Sequence, residues 1–341
     1  MSYSPKELGL TLSYECNLRC AHCIVSAGPK EKGTINHDVA VKILDQAQSN
    51  GIKHVLLYGG EPFLQKGLMF DIAEQALIKR FNVYINSNGS WGESRESARD
   101  NLRGLQELTM KYKKSRIGIS LSVDQYHQPQ IPINSIANII AEHRLGEYPN
   151  IQLDLGSLKG SESDKLLADL VAALYRQGIH LALSKFQPFL YPALSSELKD
   201  YGKKERKNLI VNLGLTSYAS DRLIEKTLSE NLPGQRNKKR DETIPLIYNC
   251  FSNNLLSFGR TRPYIIVPDN YLIKLSRSDL IKAGKSTEGN NLNPPEFNAL
   301  FIDPFGNAFT HPAFMRSQEG IPINNKPLSQ VIFEVGQSLE R

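Results

Sequence analysis

The stretch LGLTLSYECNLRCAHC, residues 8–23, decides how the rest of the chain reads. Its first part, LGLTLSY (8–14), is apolar and predicts a strand. Its second part packs three of the four cysteines of a 341-residue chain into eight residues: Cys16, Cys20 and Cys23. The fourth is Cys250. So few thiols do not make a disulfide framework, and clustered thiols in a reducing compartment bind metal or do redox work. Thiolates on one short loop suit soft metals and iron–sulfur clusters. Three of them can hold three irons of a cubane and leave the fourth iron open to a substrate or cofactor. Zinc is the rival. It asks for a fourth ligand, and His22 lies too close to Cys23 to be an easy one.

Outward from this stretch the chain alternates. Asn36 predicts a helix cap, followed by an apolar face of Val39, Ile43, Leu44 and Ala47. HVLLY (54–58) reads as a buried parallel strand. LMFDIAEQALIKR (68–80) has helical spacing, and NVYINS (82–87) is a strand closed by Asn88-Gly89. Residues 95–113 are helical in character. Strands follow at 116–123, 150–157 and 179–186, with helices at 135–144 and 164–177 between them. Strand–helix alternation implies a parallel sheet with right-handed crossovers. Six such units fall short of a closed eight-fold barrel. The expected fold is therefore α/β, a partial, open (βα)6 barrel over 1–190. A C-terminal extension over 191–341, with short helices and β-hairpins, would cover the barrel and contribute to substrate binding. ALFIDPFGNAFTHPAF (299–314) reads as a hairpin around Pro304-Phe305-Gly306. Ligands in such sheets gather at the C-terminal ends of the strands.

The bulk numbers set limits. A hydrophobic content of 40% against 22% charged residues argues for a sizeable core and against general disorder. The first ten residues have no apolar core of a secretory signal, and no run has the length of a membrane span. A cytoplasmic protein is the expectation. Residues 199–240 hold eleven Lys/Arg against five Asp/Glu, and so carry the whole net charge of +6. That tract can meet phosphate or an acidic peptide, or be a solvated loop. Its aromatic residues are not interleaved as a base-stacking platform needs, so nucleic acid is not the expected partner.

Other candidate site residues stand at strand ends. In YGGEP (58–62), Gly59 and Gly60 allow close backbone approach to a ligand, Glu61 can accept from a buried ammonium, and Pro62 fixes the turn. Ser120, Ser122 and Asp124 alternate, so in an extended strand they share a face. Ser122 and Asp124 suit a ribose or a carboxylate. The alternatives are a small core residue for Ser120 and a cap or turn for Asp124. Asp154, inside IQLDLGS, must be paired or face a polar interior. Lys185 raises the same question and can also snorkel to water.

Together these segments resemble the radical S-adenosylmethionine (SAM) enzymes. The cysteine spacing matches, as does its place after strand one, and so do YGGEP, NSNG and SLSVD at later strand ends. The likeness covers about residues 8–190. It implies a [4Fe–4S] cluster on Cys16, Cys20 and Cys23, with SAM on the open iron. It also implies contacts to SAM from His22, Gly59, Gly60, Glu61, Pro62, Asn88, Ser122, Asp124 and Asp154. The activity implied is reductive SAM cleavage and hydrogen abstraction from a C–H bond, supported by a reductase or flavodoxin-type electron donor. SNGSWG (87–92) and DQYH (124–127) resemble the peptide-modifying, epimerase-like branch. That branch carries C-terminal cysteines where this chain has residues around Thr310 and His311. Cys250 then stands either as a hydrogen donor or as a small buried hydrophobe. His311 stands either in acid–base work or simply in the hairpin. The expected substrate is a peptide or protein, with a small metabolite or nucleotide as the alternative. A zinc-containing nucleic-acid-binding protein is the alternative from another class, against which YGGEP speaks.

Overall fold

The computed structural model describes residues 3–20, 23, 25–113, 115–146, 148, 150–156, 166, 169–170, 172–174, 176–177, 180–182, 243–247, 265–266, 299–309, 319–323 and 326–339. The chain divides into two compact units. The first comprises Met1–Ser87, Leu105–Ile119 and Lys274–Arg341, and the second Asn88–Gly104 and Ser120–Ile273.

In the first unit, strands β1 (Glu7–Thr11), β2 (His54–Tyr58) and β3 (Asn82–Ser87) run parallel, with Leu10 opposite Leu57 and Val55 opposite Val83. The Val83 N–H donates to the Arg116 carbonyl at 2.9 Å and leads into β4 (Ile117–Ser122). On the other side of β1 lies β9 (Ala299–Ile302), also parallel, followed by antiparallel β10 (Asn307–Phe309) and β11 (Ile321–Pro322). The 299–314 hairpin forms as expected over its described part, with its turn at 303–306.

Side-chain alternation assigns the two faces of the sheet. Leu8, Leu10, Val55, Leu57, Val83 and Ile85 are fully buried on one face. Helices α1 (His37–Ser49) and α2 (Lys66–Ile78) supply buried residues of their own, Ile43, Leu44 and Ala47 from α1 and Met69, Ile72 and Ala76 from α2. Truncating one such residue, Leu10→Ala, costs about 2–5 kcal/mol. The opposite face of β3 carries Asn82, Tyr84 and Asn86, all partly exposed. A parallel strand with one polar face departs from the all-apolar pattern and marks a surface that meets water or ligand.

Asn36 caps α1 as expected, its Oδ1 accepting from the Asp38 and Val39 amides. The buried face is one residue out of the expected phase: Ala40 is buried, and Val39 is 39% exposed. Within helix geometry, Ala40 aligns with Ile43, Leu44 and Ala47, so the small residue takes the inner place.

The second unit holds the end of β4, then α4 (Ile133–Leu145) and β5 (Ile151–Gly156). The first turns of α3 (Arg95–Lys111) also belong to it. Arg95 and Arg99 both pair with the buried Glu142 of α4, at 2.5 and 2.9 Å. The expected sixth strand forms over His180–Ala182 as β6. It does not extend the main sheet, and pairs with β7 (Thr243–Ile247), which pairs with β8 (Ile265–Ile266). The main sheet is open, and β9 takes the place beside β1. In the first unit, α5 (Leu328–Leu339) closes the described chain. Among the described residues no helix is long and apolar enough to cross a membrane.

Candidate active site

Beyond Thr11 the chain leaves the sheet as a loop with a hydrogen-bonded neck. The Ile35 N–H donates to the Leu12 carbonyl at 2.9 Å, and the Tyr14 N–H to the Gly33 carbonyl at 3.0 Å. Ser13 bridges Thr34 and Glu15 bridges Gly28. Deeper in the loop, the Gly28 N–H donates to the Tyr14 carbonyl and the Cys16 N–H to the Gly28 carbonyl. The Cys23 N–H closes a turn on the Cys20 carbonyl at 3.1 Å. The sequence thus returns on itself and presents Cys16, Cys20 and Cys23 from one closed loop at the C-terminal end of β1.

Two backbone amides point at cysteine sulfurs. The Leu18 N–H lies 3.4 Å from the Cys16 Sγ, and the Ala27 N–H 3.2 Å from the Cys23 Sγ. Amide donors at sulfur favour the thiolate over the thiol, and they also tune iron–sulfur centres. Cys20 is buried, while Cys16 and Cys23 are partly exposed and pack against an apolar cluster that includes Tyr14, Val25, Tyr58 and Phe301. These features fit an iron–sulfur cluster. Zinc asks for four donors around one ion. Among the described residues, no three His, Cys, Asp or Glu are gathered around a single metal-ion position, Cys16, Cys20 and Cys23 included.

Gly59 and Gly60 lie against the cysteine loop itself. The Gly60 N–H donates to the Ser13 carbonyl at 2.7 Å and the Glu61 N–H to the Glu15 carbonyl at 3.0 Å. A Cβ at Gly60 would sit 1.7 Å from the Glu15 carbonyl oxygen. Gly59 has φ +136°, and a Cβ there would meet the Ser13 carbonyl at 2.5 Å. The glycine pair therefore extends the β1–β2 ladder past the sheet and fastens the strand-two turn to the segment that leads into Cys16.

Glu61 is 1% exposed. Its Oε1 accepts from the Phe63 amide at 3.1 Å and from the Ser87 hydroxyl at 2.9 Å. The first bond caps the short 3₁₀ turn Pro62–Gln65, in which Pro62 takes the first position that suits it. The second ties the end of β2 to the end of β3. A carboxylate held in this way is oriented before any ligand arrives. Ser87 was not singled out from the sequence, because its partner is 26 residues away.

In the second unit, the Asn88 Oδ1 accepts from the Ser90 amide at 2.9 Å and shapes the turn of SNGSWG. That turn packs on α4: a Cβ at Gly92 would come 2.1 Å from the Ser135 carbonyl, and the Asn138 amide donates to the Gly92 carbonyl. Ser122 ends β4 partly exposed, alternating with the buried Leu121 and Val123. Asp124 is buried and serves its own turn. Its Oδ1 accepts from the Tyr126 and His127 amides at 2.8 and 3.1 Å, and its Oδ2 lies 2.7 Å from the His127 Nδ1. These bonds give Asp124 a role in its own turn, and DQYH is a local Asp–His unit. Asp154 lies in β5. His22, Lys185, Cys250, Thr310, His311 and the 199–240 tract lie outside the described residues.

Residues 10–141 match the Radical SAM superfamily. YydG of Bacillus subtilis (strain 168), named for peptide biosynthesis, is 25% identical over 197 residues, which cover 57% of this chain and 58% of YydG. A GTP 3′,8-cyclase of Clostridium perfringens (strain SM101 / Type A) is 25% identical over 225 residues, which cover 59% of this chain and 63% of the cyclase. Among solved structures, Streptococcus suis SuiB bound to precursor peptide SuiA aligns at a TM-score of 0.48 and 15% identity, over 97% of this chain and 65% of SuiB. This chain thus spans less than two thirds of the length of each.

Proposed function

We propose that this chain, which carries a radical SAM domain over residues 10–141, is an enzyme that takes hydrogen from a C–H bond of a peptide. Cys16, Cys20 and Cys23 would hold the cluster. When bound, a [4Fe–4S] cluster with SAM supplies one-electron cleavage of the sulfonium and the carbon radical that removes the hydrogen. The observation that carries this reading is the fastening of the cysteine loop to Gly59-Gly60-Glu61 by main-chain hydrogen bonds. It brings a thiol loop and an oriented carboxylate together at adjacent strand ends.

The chain's own groups have separate tasks in this account. The amides of Leu18 and Ala27 support thiolate charge at Cys16 and Cys23. Glu61, fixed by Phe63 and Ser87, receives the amino group of SAM as a charge-assisted contact. Asn88 keeps the turn that follows β3 in shape, and Ser122 offers a hydroxyl at the end of β4. Residues 191–341 contribute to substrate binding, and a reductase or flavodoxin-type protein supplies electrons. Cys250 remains a candidate hydrogen donor, and full product from a Cys250→Ala variant would remove it from that role.

The peptide substrate is supported by the similarity to YydG. A second reading, a nucleotide or other small metabolite, is supported by the GTP 3′,8-cyclase, which matches over a slightly larger share of this chain. Anaerobically reconstituted protein, incubated with reductant and SAM, separates them. Short peptides encoded beside the gene should stimulate 5′-deoxyadenosine release and change mass in deuterated water. Consumption of GTP, with every such peptide unchanged, would overturn the peptide reading in favour of the second.

A further inference from the structure

We infer that Phe305, at the tip of the β9–β10 hairpin, is a positioning residue that holds the neck of the cysteine loop closed. The inference rests on the reading that Cys16, Cys20 and Cys23 carry an iron–sulfur cluster. It extends that reading to a residue almost three hundred positions away in the chain.

The hairpin reaches the loop because β9 pairs in parallel with β1, Leu10 opposite Ile302. Both strands therefore end at the same level, and the turn after β9 stands beside the loop after β1. That turn is rigid. The Asp303 carboxylate is buried; its Oδ1 accepts from the Phe305 and Asn307 amides at 2.9 and 2.8 Å, and its Oδ2 from the Asn307 side-chain amide at 3.0 Å. Gly306 closes the turn with φ +82°. The aromatic ring at its tip is thus presented with little left to order.

The ring lies on the loop's neck. Its centroid is 6.0 Å from that of Tyr14. A Cβ on Gly33 would meet the Phe305 ring at 2.8 Å, and Gly33 has φ +122°. Tyr14 and Gly33 are the pair whose main-chain hydrogen bond closes the neck. The neck is therefore fastened on one side by Gly60 and covered by Phe305. Phe301 and Phe309 of the same hairpin belong to the apolar cluster on which Cys16 and Cys23 pack.

Burial does not account for the residue. Phe305 is 63% exposed, so its transfer from water stabilises the fold little. What it does is restrain the two strands of the neck, and the loop beyond that neck holds the Leu18 and Ala27 amides against the cysteine sulfurs. A looser neck lengthens those contacts and wets the sulfurs. Both changes alter the potential and lifetime of an iron–sulfur centre.

The test uses the full chain, reconstituted anaerobically, as wild type, Phe305→Ala and Phe305→Leu. Three quantities are read: the rate of cluster bleaching in air, the midpoint potential from an EPR-monitored titration, and the thermal midpoint of the iron-free protein. Phe305→Ala should bleach several-fold faster and shift in potential, with an unchanged thermal midpoint; Phe305→Leu should fall between. Wild-type bleaching and potential in Phe305→Ala would overturn the inference. So would a drop in the iron-free thermal midpoint of both variants that parallels the faster bleaching, since Phe305 would then be a packing residue. A wild-type chain that takes up no cluster would instead overturn the underlying reading, and this inference with it.

Discussion

Two glutamates on the same sheet contrast its two ends. Glu61 stands where β2 finishes, almost fully buried, with its Oε1 accepting from a backbone amide and a serine hydroxyl. Glu7 stands where β1 begins, and burial alone pushes its carboxyl up to about 7. Its neighbour in register, His54, is buried with an Nδ1 that finds no hydrogen-bond partner among the described residues, and burial holds its pKa below the ordinary value. At the C-terminal ends of the strands, buried polar groups are oriented by partners. At the N-terminal ends of β1 and β2, burial favours the neutral forms of Glu7 and His54. An oriented carboxylate can bind a ligand, and the desolvated carboxyl of Glu7 makes stability depend on pH.

The strongest way to break this contrast is at Gly60. Gly60→Ala drives a methyl group into the Glu15 carbonyl and must move one of two main-chain segments. The expected cost is about 3 kcal/mol or more, with loss of iron uptake on reconstitution. Iron content and thermal unfolding measured together would check it, and normal loading would mean that the fastening is dispensable.

The other end is tested by pH. Between the unfolded value of 4.5 and the folded value of about 7, native Glu7 holds more proton than the unfolded chain. Stability should therefore fall as pH rises through that window. Glu7→Gln should abolish this slope and be more stable than wild type at pH 8, by about 1–3 kcal/mol. His54 acts in the opposite sense. Its lowered pKa removes stability as pH falls below the ordinary histidine value of 6.5. Denaturant melts of the iron-free protein across pH 5–8 would resolve both slopes, and parallel curves for wild type and Glu7→Gln would contradict the assignment.

A smaller change sharpens the comparison. Ser87→Ala removes one bond to Glu61 at a cost of about 1 kcal/mol. It should weaken SAM binding to the reconstituted protein more than it lowers the melting temperature. Equal loss in both would reduce Ser87 to a structural role.

Much of the first half was legible because its signals are local. Period-2 and period-3.6 patterns found β1 to β5 and the helices between them, and Asn36 announced its cap. The cysteine loop was legible from spacing alone. What escaped reading depends on partners distant in sequence. Nothing near Ala299 says that ALFI will pair with β1, and nothing near His180 says that HLA will leave the main sheet for β7. Gly59 and Gly60 were legible as positions of close approach, but the segment approached was not. Val39 and Ala40 differ by one position in a helix whose apolar residues allow either phase. The Asp124 carboxylate accepts from Tyr126 and His127, a local bond open to any Asp at a strand end.

The central claim is that a loop fastened between Gly60 and the β9–β10 hairpin carries an iron–sulfur cluster that works with SAM. EPR of the dithionite-reduced protein, recorded with and without SAM beside iron and sulfide analysis, tests it most directly. The account predicts iron and sulfide in equal amounts, a reduced-cluster signal that changes shape when SAM is added, and loss of both in Cys16→Ala, Cys20→Ala and Cys23→Ala. A colourless protein holding stoichiometric zinc, or a cluster signal that survives all three substitutions and ignores SAM, would contradict it.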